Sequence, residues 1–223
     1  MRVAIVSVGD ELLTGETVNT NAAWLGRQLR DRGVTVSRVT VIPDNQQEIA
    51  RVVNEQHAAA DAVIVTGGLG PTHDDRTVEG VAAAFGRSVE FHEAAREWID
   101  SISEYAASDL VDGTAVLPTG ARQLPNQVGV APGFVVENCY VLPGVPEEMH
   151  QMFEEIAPEF VGEPTNVTVV EIAEPESALL ERIEQLRTEF PVSVGSYPGD
   201  NVRIRIEGTE ESAVEDAARE QAV

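Results

Sequence analysis

The sequence predicts an α/β fold: a mostly parallel sheet covered by helices on both faces, followed by a small α+β unit. Three observations carry this. Short β-branched runs alternate with stretches of helical period as far as Gly162. The earliest runs are continuously apolar rather than alternating, as expected of strands buried on both faces. After the stretch GEPTN (Gly162–Asn166) the pattern restarts as strand, helix, two strands and helix. The expected domains are therefore residues 1–162 and 163–223.

Each element has its own signal. RVAIVSV (Arg2–Val8) is a buried strand, and the loop GDELLTGETVNT follows it. Ala22, Leu25 and Leu29 recur at helical spacing over Asn21–Asp31, with Gly33 as the stop. VTVSRVTVI (Val34–Ile42) is the second strand. Asp44, with Gln47 three residues on, fits the N-cap of the next helix. DAVIVT (Asp61–Thr66) is the third strand, leading into VTGGLGPTHDD. Helices are expected over Thr77–Phe85, ended by Gly86, and over Glu93–Ala107. Residues 108–133 read as irregular, with Pro118, Pro125 and Pro132. Short strands at Phe134–Val136 and Cys139–Leu142 flank the turn Glu137-Asn138. A helix then places Met149, Met152, Phe153 and Ile156 on one face. In the second unit, Val167–Ile172, Val192–Ser196 and Val202–Ile206 read as strands, and Ser177–Arg187 and Glu210–Ala222 as helices.

Composition narrows the function. Fifteen basic residues, every one of them Arg, face 38 acidic ones, for a net charge of −23. A folded chain with this bias and no Lys points to a salt-rich cytoplasm, where ions screen its self-repulsion. It lacks the basic face that non-specific nucleic-acid binding requires, so no nucleic-acid partner is expected. The apolar run Val3–Val8 is too short for a signal peptide or a membrane span, and a cytoplasmic protein is expected. Cys139 has no partner for a disulfide and no catalytic signature around it, so it reads as a packed strand residue.

In sheets of this kind ligands sit beyond the carboxyl ends of the strands, where strand order reverses. Four loops leave such ends: Gly9–Asn19, Pro43-Asp44, Gly67–Asp75 and Pro143–Glu148. They would bring Asp10, Glu11, Asp44, Asp74, Asp75 and Glu147 to one edge. Gly67, Gly68 and Gly70 let main-chain N–H groups approach an oxyanion, and Thr77 follows at a helix start that also favours anions. The loop lacks the GK[ST] of a P-loop and fails the dinucleotide pattern at His73, so a tight structural turn remains the alternative. Acids beside a phosphate need a cation between them, and Mg²⁺ commonly takes one or two carboxylates together with phosphates. Asp75, Asp74 and Asp10 are the candidate metal ligands; Asp74 equally serves as a helix cap or a solvated acid. Gly144, Pro146 and Glu147 make a helix start that borders the same edge, and His73 is the one histidine with a functional position. No serine-hydrolase, zinc-protease or zinc-ribbon motif occurs.

Taken together, GDELLTGETVNTNAAWL, IPDN, VIVTGGLGPTHDDRTVEGVA, APGF and VLPGVPEEM resemble the molybdopterin-binding-domain superfamily. The closest likeness is to the N-terminal region of CinA-type (competence/damage-inducible protein A) proteins. The resemblance implies a three-layer α/β/α domain that binds a phosphorylated pterin or nucleotide, with molybdopterin itself a possible ligand, in a homodimer or homotrimer. In the superfamily's adenylyltransferases a glycine loop ends in an acid, which falls here on Asp75, and a second acid after strand two falls on Asp44. Leu69 stands where those enzymes carry threonine, as in CinA-type sequences. The resemblance therefore implies metal-dependent hydrolysis of an ADP-ribose-like pyrophosphate, with Asp75, Asp44 and Asp10 catalytic, ahead of pterin adenylylation or binding without catalysis. No nicotinamide-nucleotide deamidase domain is expected in this length.

Overall fold

The computed structural model describes residues 1–70, 75–102, 115–163 and 165–221. The chain divides into two compact units, Met1–Gly162 and Glu163–Val223.

In the first unit a six-stranded sheet has the order β2-β1-β3-β8-β7-β6. Its strands are β1 (Arg2–Val8), β2 (Thr35–Ile42), β3 (Ala62–Thr66), β6 (Arg122–Leu124), β7 (Gly133–Val136) and β8 (Cys139–Leu142). β2, β1, β3 and β8 are mutually parallel, while β7 runs antiparallel to both β8 and β6. A two-stranded ribbon, β4 (Val89–Phe91) with β5 (Val116–Pro118), accompanies the sheet. Three of these strands, β4, β5 and β6, are only three residues long, too short to leave a periodic signal, and β5 and β6 lie in the segment read as irregular.

Helices α2 (Thr20–Arg30) and α6 (Pro146–Ile156) pack on one face of the sheet. Leu25, Leu29, Met149, Met152 and Phe153 join Ile5, Ile64 and Leu142 in one buried cluster there. Helices α3 (Gln46–Ala59), α4 (Thr77–Ala84) and α5 (Glu93–Ile102) cover the other face, where Ile49, Val53, Val81 and Ile99 meet Val6, Val63, Val65 and Val141. The result is the expected three layers. Successive strand residues point to opposite faces, so a strand buried on both sides must be apolar throughout; β3 is AVIVT with every residue buried. The helix expected to run to Ala107 is described only as far as Ile102, and its remainder lies outside the described residues.

Two helix starts differ from expectation. Asp10–Thr14 forms a short helix, α1, closed by Gly15 with φ 78°. The cap of α3 is Asn45, not Asp44: its Oδ1 accepts from the N–H groups of Gln47 and Glu48, both at 3.0 Å. Asp44 is engaged elsewhere, as the site shows below.

At the opposite end of the strands Asn138 ties the layers together. Its Nδ2 donates to the carbonyls of Ala60 (3.2 Å) and Asp61 (3.1 Å), its Oδ1 meets His57 Nδ1, and its own carbonyl accepts from Val63 N–H. Asn138→Ala leaves the Ala60 and Asp61 carbonyls and His57 Nδ1 without their side-chain partner, while the Val63 bond to the main chain stays, and should lower stability by about 1–3 kcal/mol, read from the urea midpoint. Cys139 beside it is fully buried and its thiol pKa is pushed up by burial, in keeping with a packing role.

The second unit is a three-stranded antiparallel sheet, order β10-β11-β9, formed by β9 (Asn166–Ile172), β10 (Ser193–Tyr197) and β11 (Val202–Gly208). Helices α7 (Glu176–Glu189) and α8 (Glu211–Gln221) supply Leu179, Ile183, Leu186, Val214 and Ala217 to a core shared with Ile172, Val194, Ile204 and Ile206. The β-α-β-β-α order read from the sequence is the order found.

Many described ion pairs lie at the surface, such as Arg51 with Glu48 and Glu55 or Arg219 with Glu215 and Asp216, and pairs of that kind contribute little. The net −23 is the excess of acids over all fifteen Arg, so no ion pair within the chain offsets it. Melting temperature should therefore rise between about 0.01 M and about 1 M KCl, as the Debye length falls from about 30 Å to about 3 Å. Thermal denaturation across a KCl series measures it.

Candidate functional site

Strand order reverses between β1 and β3: the chain leaves β1 outward to β2 and returns to β3 on the other side. The loops after these two strands diverge to opposite faces and open a crevice at their carboxyl ends. Four loops meet at this crest, and short contacts record it.

The β3–α4 loop starts with Gly67 at φ 99° and Gly68 at φ 66°, both in the left-handed region. A Cβ on Gly67 would collide with the carbonyl oxygen of Val8, so the loop passes directly over the end of β1. One on Gly68 would collide with Thr77 Oγ1 and stand 3.2 Å from Asp44 Oδ1, and one on Gly70 would stand 2.7 Å from Asp75 Oδ2. The Gly67 N–H is committed to the Leu142 carbonyl at 3.1 Å, and the Thr77 N–H to the Gly68 carbonyl at 3.2 Å. Gly67 therefore serves by letting the chain pass, and Thr77 offers its hydroxyl rather than its amide. Gly144, from the β8–α6 loop, presses its backbone on Gly67: a Cβ there would lie 3.3 Å from Gly67 Cα.

The acids gather around Asp44. Its Oδ2 accepts the Asp10 N–H at 3.1 Å. Desolvation raises its pKa above the usual carboxylate range; the Asp10 hydrogen bond pulls back, and the charges of Asp10, Asp75 and Glu11 push further up. Glu11 curls over Gly9, where a Cβ would strike its carboxylate. Of the expected site residues the structure thus brings together Asp10, Asp44, Asp75, Gly67, Gly68, Gly70, Thr77 and Gly144. Glu147 is exposed in the first turn of α6 and is not among the charges acting on Asp44; Pro146 opens that helix. Asp74 and His73 lie outside the described residues.

A carboxylate raised by desolvation and then by three like-charged neighbours, with one N–H to answer it, is a hard-oxygen donor set short of positive charge. Among the described residues no three acidic, His or Cys side chains are close enough to hold an ion by themselves. The set fits a divalent ion only where phosphate oxygens complete its coordination.

Beneath the crest lies a polar bed that the sequence reading passed over. Ser7 Oγ, buried, accepts from Asn19 Nδ2 (3.0 Å) and Thr66 Oγ1 (3.3 Å). Asn19 also caps α2 through Ala22 N–H, and Asn21 Nδ2 donates to the Gly144 carbonyl at 2.7 Å. The available signal is NTN at the start of α2, with Ser7 next to last in β1 and Thr66 last in β3, each a polar residue in an apolar run.

The chain and its fold have counterparts. Residues 4–162 match the family of probable molybdopterin binding domains, and the chain belongs to that family. It is similar over nearly its whole length to a protein of Archaeoglobus fulgidus, 37% identical over 222 residues, 99% of this chain and 96% of the other. It is also similar to a CinA-like protein of Geobacter sp., 37% identical over 99% of this chain, which spans only 57% of that relative. A crystal structure of CinA from Thermoplasma acidophilum superposes with a TM-score of 0.67 at 35% identity, covering 72% of this chain and 99% of that one. The CinA-type resemblance read from the motifs therefore holds. No helix among the described residues is long and apolar enough to cross a membrane.

Proposed function

We propose that the crest binds a phosphorylated pterin or nucleotide and hydrolyses the pyrophosphate bond of an ADP-ribose-like dinucleotide with a divalent metal. The observation that supports it is the meeting of the Gly67–Gly70 loop with the carboxylates of Asp44, Asp75 and Asp10, raised Asp44 included. A glycine cradle holds phosphate oxygens through main-chain donors, and the acids face it across the crevice. Asp75 with Asp44 or Asp10 would hold the ion, the phosphate oxygens completing its coordination, with Asp74 a further candidate ligand; once bound, the ion would neutralise charge developing on the phosphates. The chain's own task is to fix the pyrophosphate and orient a water in line. Water oxygen bonds to one phosphorus, the bridging oxygen leaves on the other with its electron pair, and AMP and ribose 5-phosphate result. A cytoplasmic dimer or trimer in a salt-rich cell completes the reading.

The test is AMP release from ADP-ribose in high-KCl buffer with Mg²⁺, Mn²⁺ or Co²⁺. The expected result is metal-dependent release that Asp75→Asn abolishes. Tight binding without turnover would support a second reading, a non-catalytic pterin- or nucleotide-binding module. That reading is favoured by the absence, among the described residues, of three metal-holding side chains in reach of one another. Adenylyl transfer to a pterin would show instead as pyrophosphate release from ATP.

A further inference from the structure

Two buried polar atoms at the crest have no hydrogen-bond partner among the described residues: Thr77 Oγ1 and Asn21 Oδ1. Both residues are more than nine-tenths buried, Thr77 at 0% and Asn21 at 9% exposure. Burying an unpaired polar group costs free energy, so a native fold retains one where something outside the chain supplies the partner. The two residues come from helices on opposite faces of the sheet, Asn21 from α2 and Thr77 from α4. Thr77, at the start of α4, sets its hydroxyl against Gly68: a Cβ added there would collide with it and would stand 3.2 Å from Asp44 Oδ1. Asn21, in the first turn of α2, spends its Nδ2 on the Gly144 carbonyl, and Gly144 lies against Gly67. The linked positions Asn21, Gly144, Gly67, Gly68 and Thr77 therefore span the crevice from one face of the sheet to the other.

The chemistry of the two ends differs. A hydroxyl over a glycine cradle donates to a phosphoryl oxygen. Asn21 spends one of its two N–H donors on Gly144, and the atom left without a partner is its carbonyl oxygen, which accepts. The pyrophosphate bridge of a dinucleotide, esterified at both ends and fully ionised at neutral pH, has no hydrogen to give it; a ribosyl hydroxyl or a ring N–H does. We propose that Thr77 and Asn21 are the specificity-determining residues of this site. Thr77 holds the phosphoryl end of the ligand, and the Asn21 carbonyl selects ligands whose non-phosphate part carries a hydroxyl or N–H donor. The inference rests on the reading of the crest as a pyrophosphate site and adds what distinguishes a nucleotide-like ligand from pyrophosphate itself.

The test is calorimetric binding with Mg²⁺ in high-KCl buffer, using two probes: pyrophosphate, and α,β-methylene ADP-ribose, whose P–C–P bridge is not hydrolysed. Thr77→Val should weaken both probes by about tenfold, the value of one lost hydrogen bond, without lowering the melting temperature, because its hydroxyl has no hydrogen-bond partner among the described residues. Asn21→Leu should weaken the ADP-ribose analogue by about tenfold and leave pyrophosphate unchanged; Asn21→Ala serves if Leu does not fold. Equal weakening of both probes by the Asn21 variants would mean that Asn21 only shapes the Gly144 loop, and would overturn the proposal. So would variants that change nothing, which would mean that water satisfies the two atoms. An unaltered protein that takes up no ADP-ribose analogue would overturn the functional reading and this inference together; binding that is indifferent to the variants would overturn the inference alone.

Discussion

Gly67→Ala is expected to destabilise the first unit by about 3 kcal/mol or more. Two costs combine. At φ 99° an L-residue is strained wherever it has room, and here it has none, because its Cβ would overlap the Val8 carbonyl oxygen. That oxygen belongs to backbone at the end of a central strand and cannot swing away as a side chain would. The Gly67 N–H also extends the β3–β8 ladder to Leu142, so displacing the residue loosens the pairing behind it. Relief comes only by lifting the loop off β1, which carries Gly68 away from Thr77 and Asp44. Stability and ligand binding should therefore fall together, the first in a urea titration and the second by calorimetry with pyrophosphate. Gly86→Ala is the control for backbone strain alone. Gly86 has φ 62° but nothing within 4 Å of its Cβ position, so it carries the conformational cost without the collision and should cost about 1 kcal/mol. If Gly67→Ala behaved like Gly86→Ala, the close packing of the loop on β1 would be wrong.

These same contacts show what the sequence can and cannot say. The strands buried on both faces were legible because that environment permits one residue class: AVIVT leaves no other reading for β3. The crest was legible as a place because glycines, prolines and acids concentrate after strands. Which acid does what was not. Asp44 and Asn45 are neighbours with the same capping chemistry, and only the Asp10 N–H, brought from 34 positions away, decides that Asn45 caps α3 while Asp44 faces the crevice. Glu147 has the right type and the right loop, but the first turn of α6 presents it to solvent. Asn21 reads as the polar start of a helix until its partner, 123 positions on, is known to be Gly144. Local chemistry limits each residue to a few roles, and contacts distant in sequence choose among them.

Asp44→Asn should separate stability from function, raising one and removing the other. The Asp44 carboxyl pKa is raised in the folded protein, chiefly by desolvation and further by Asp10, Asp75 and Glu11. The sign follows from linkage. Below both pKa values the folded and unfolded chains are equally protonated at this position, and it costs nothing. As pH rises the unfolded chain releases its proton first, so stability falls through that window. Above the folded-state pKa both are ionised, and the native state bears the full penalty. At neutral pH the carboxylate is therefore a liability to the fold. Asparagine keeps an oxygen for the Asp10 N–H and removes the charge. The variant should melt higher than the parent at pH 7, and the difference should shrink as pH is lowered towards the range of an unperturbed aspartate. Turnover of ADP-ribose should meanwhile fall by about a hundredfold or more, since a charge held in place at the reacting phosphates is lost. A chain that keeps a destabilising carboxylate at the mouth of its crevice uses it on something that arrives there. Asp44→Asn with parental melting temperature and full turnover would show that the charge is merely tolerated.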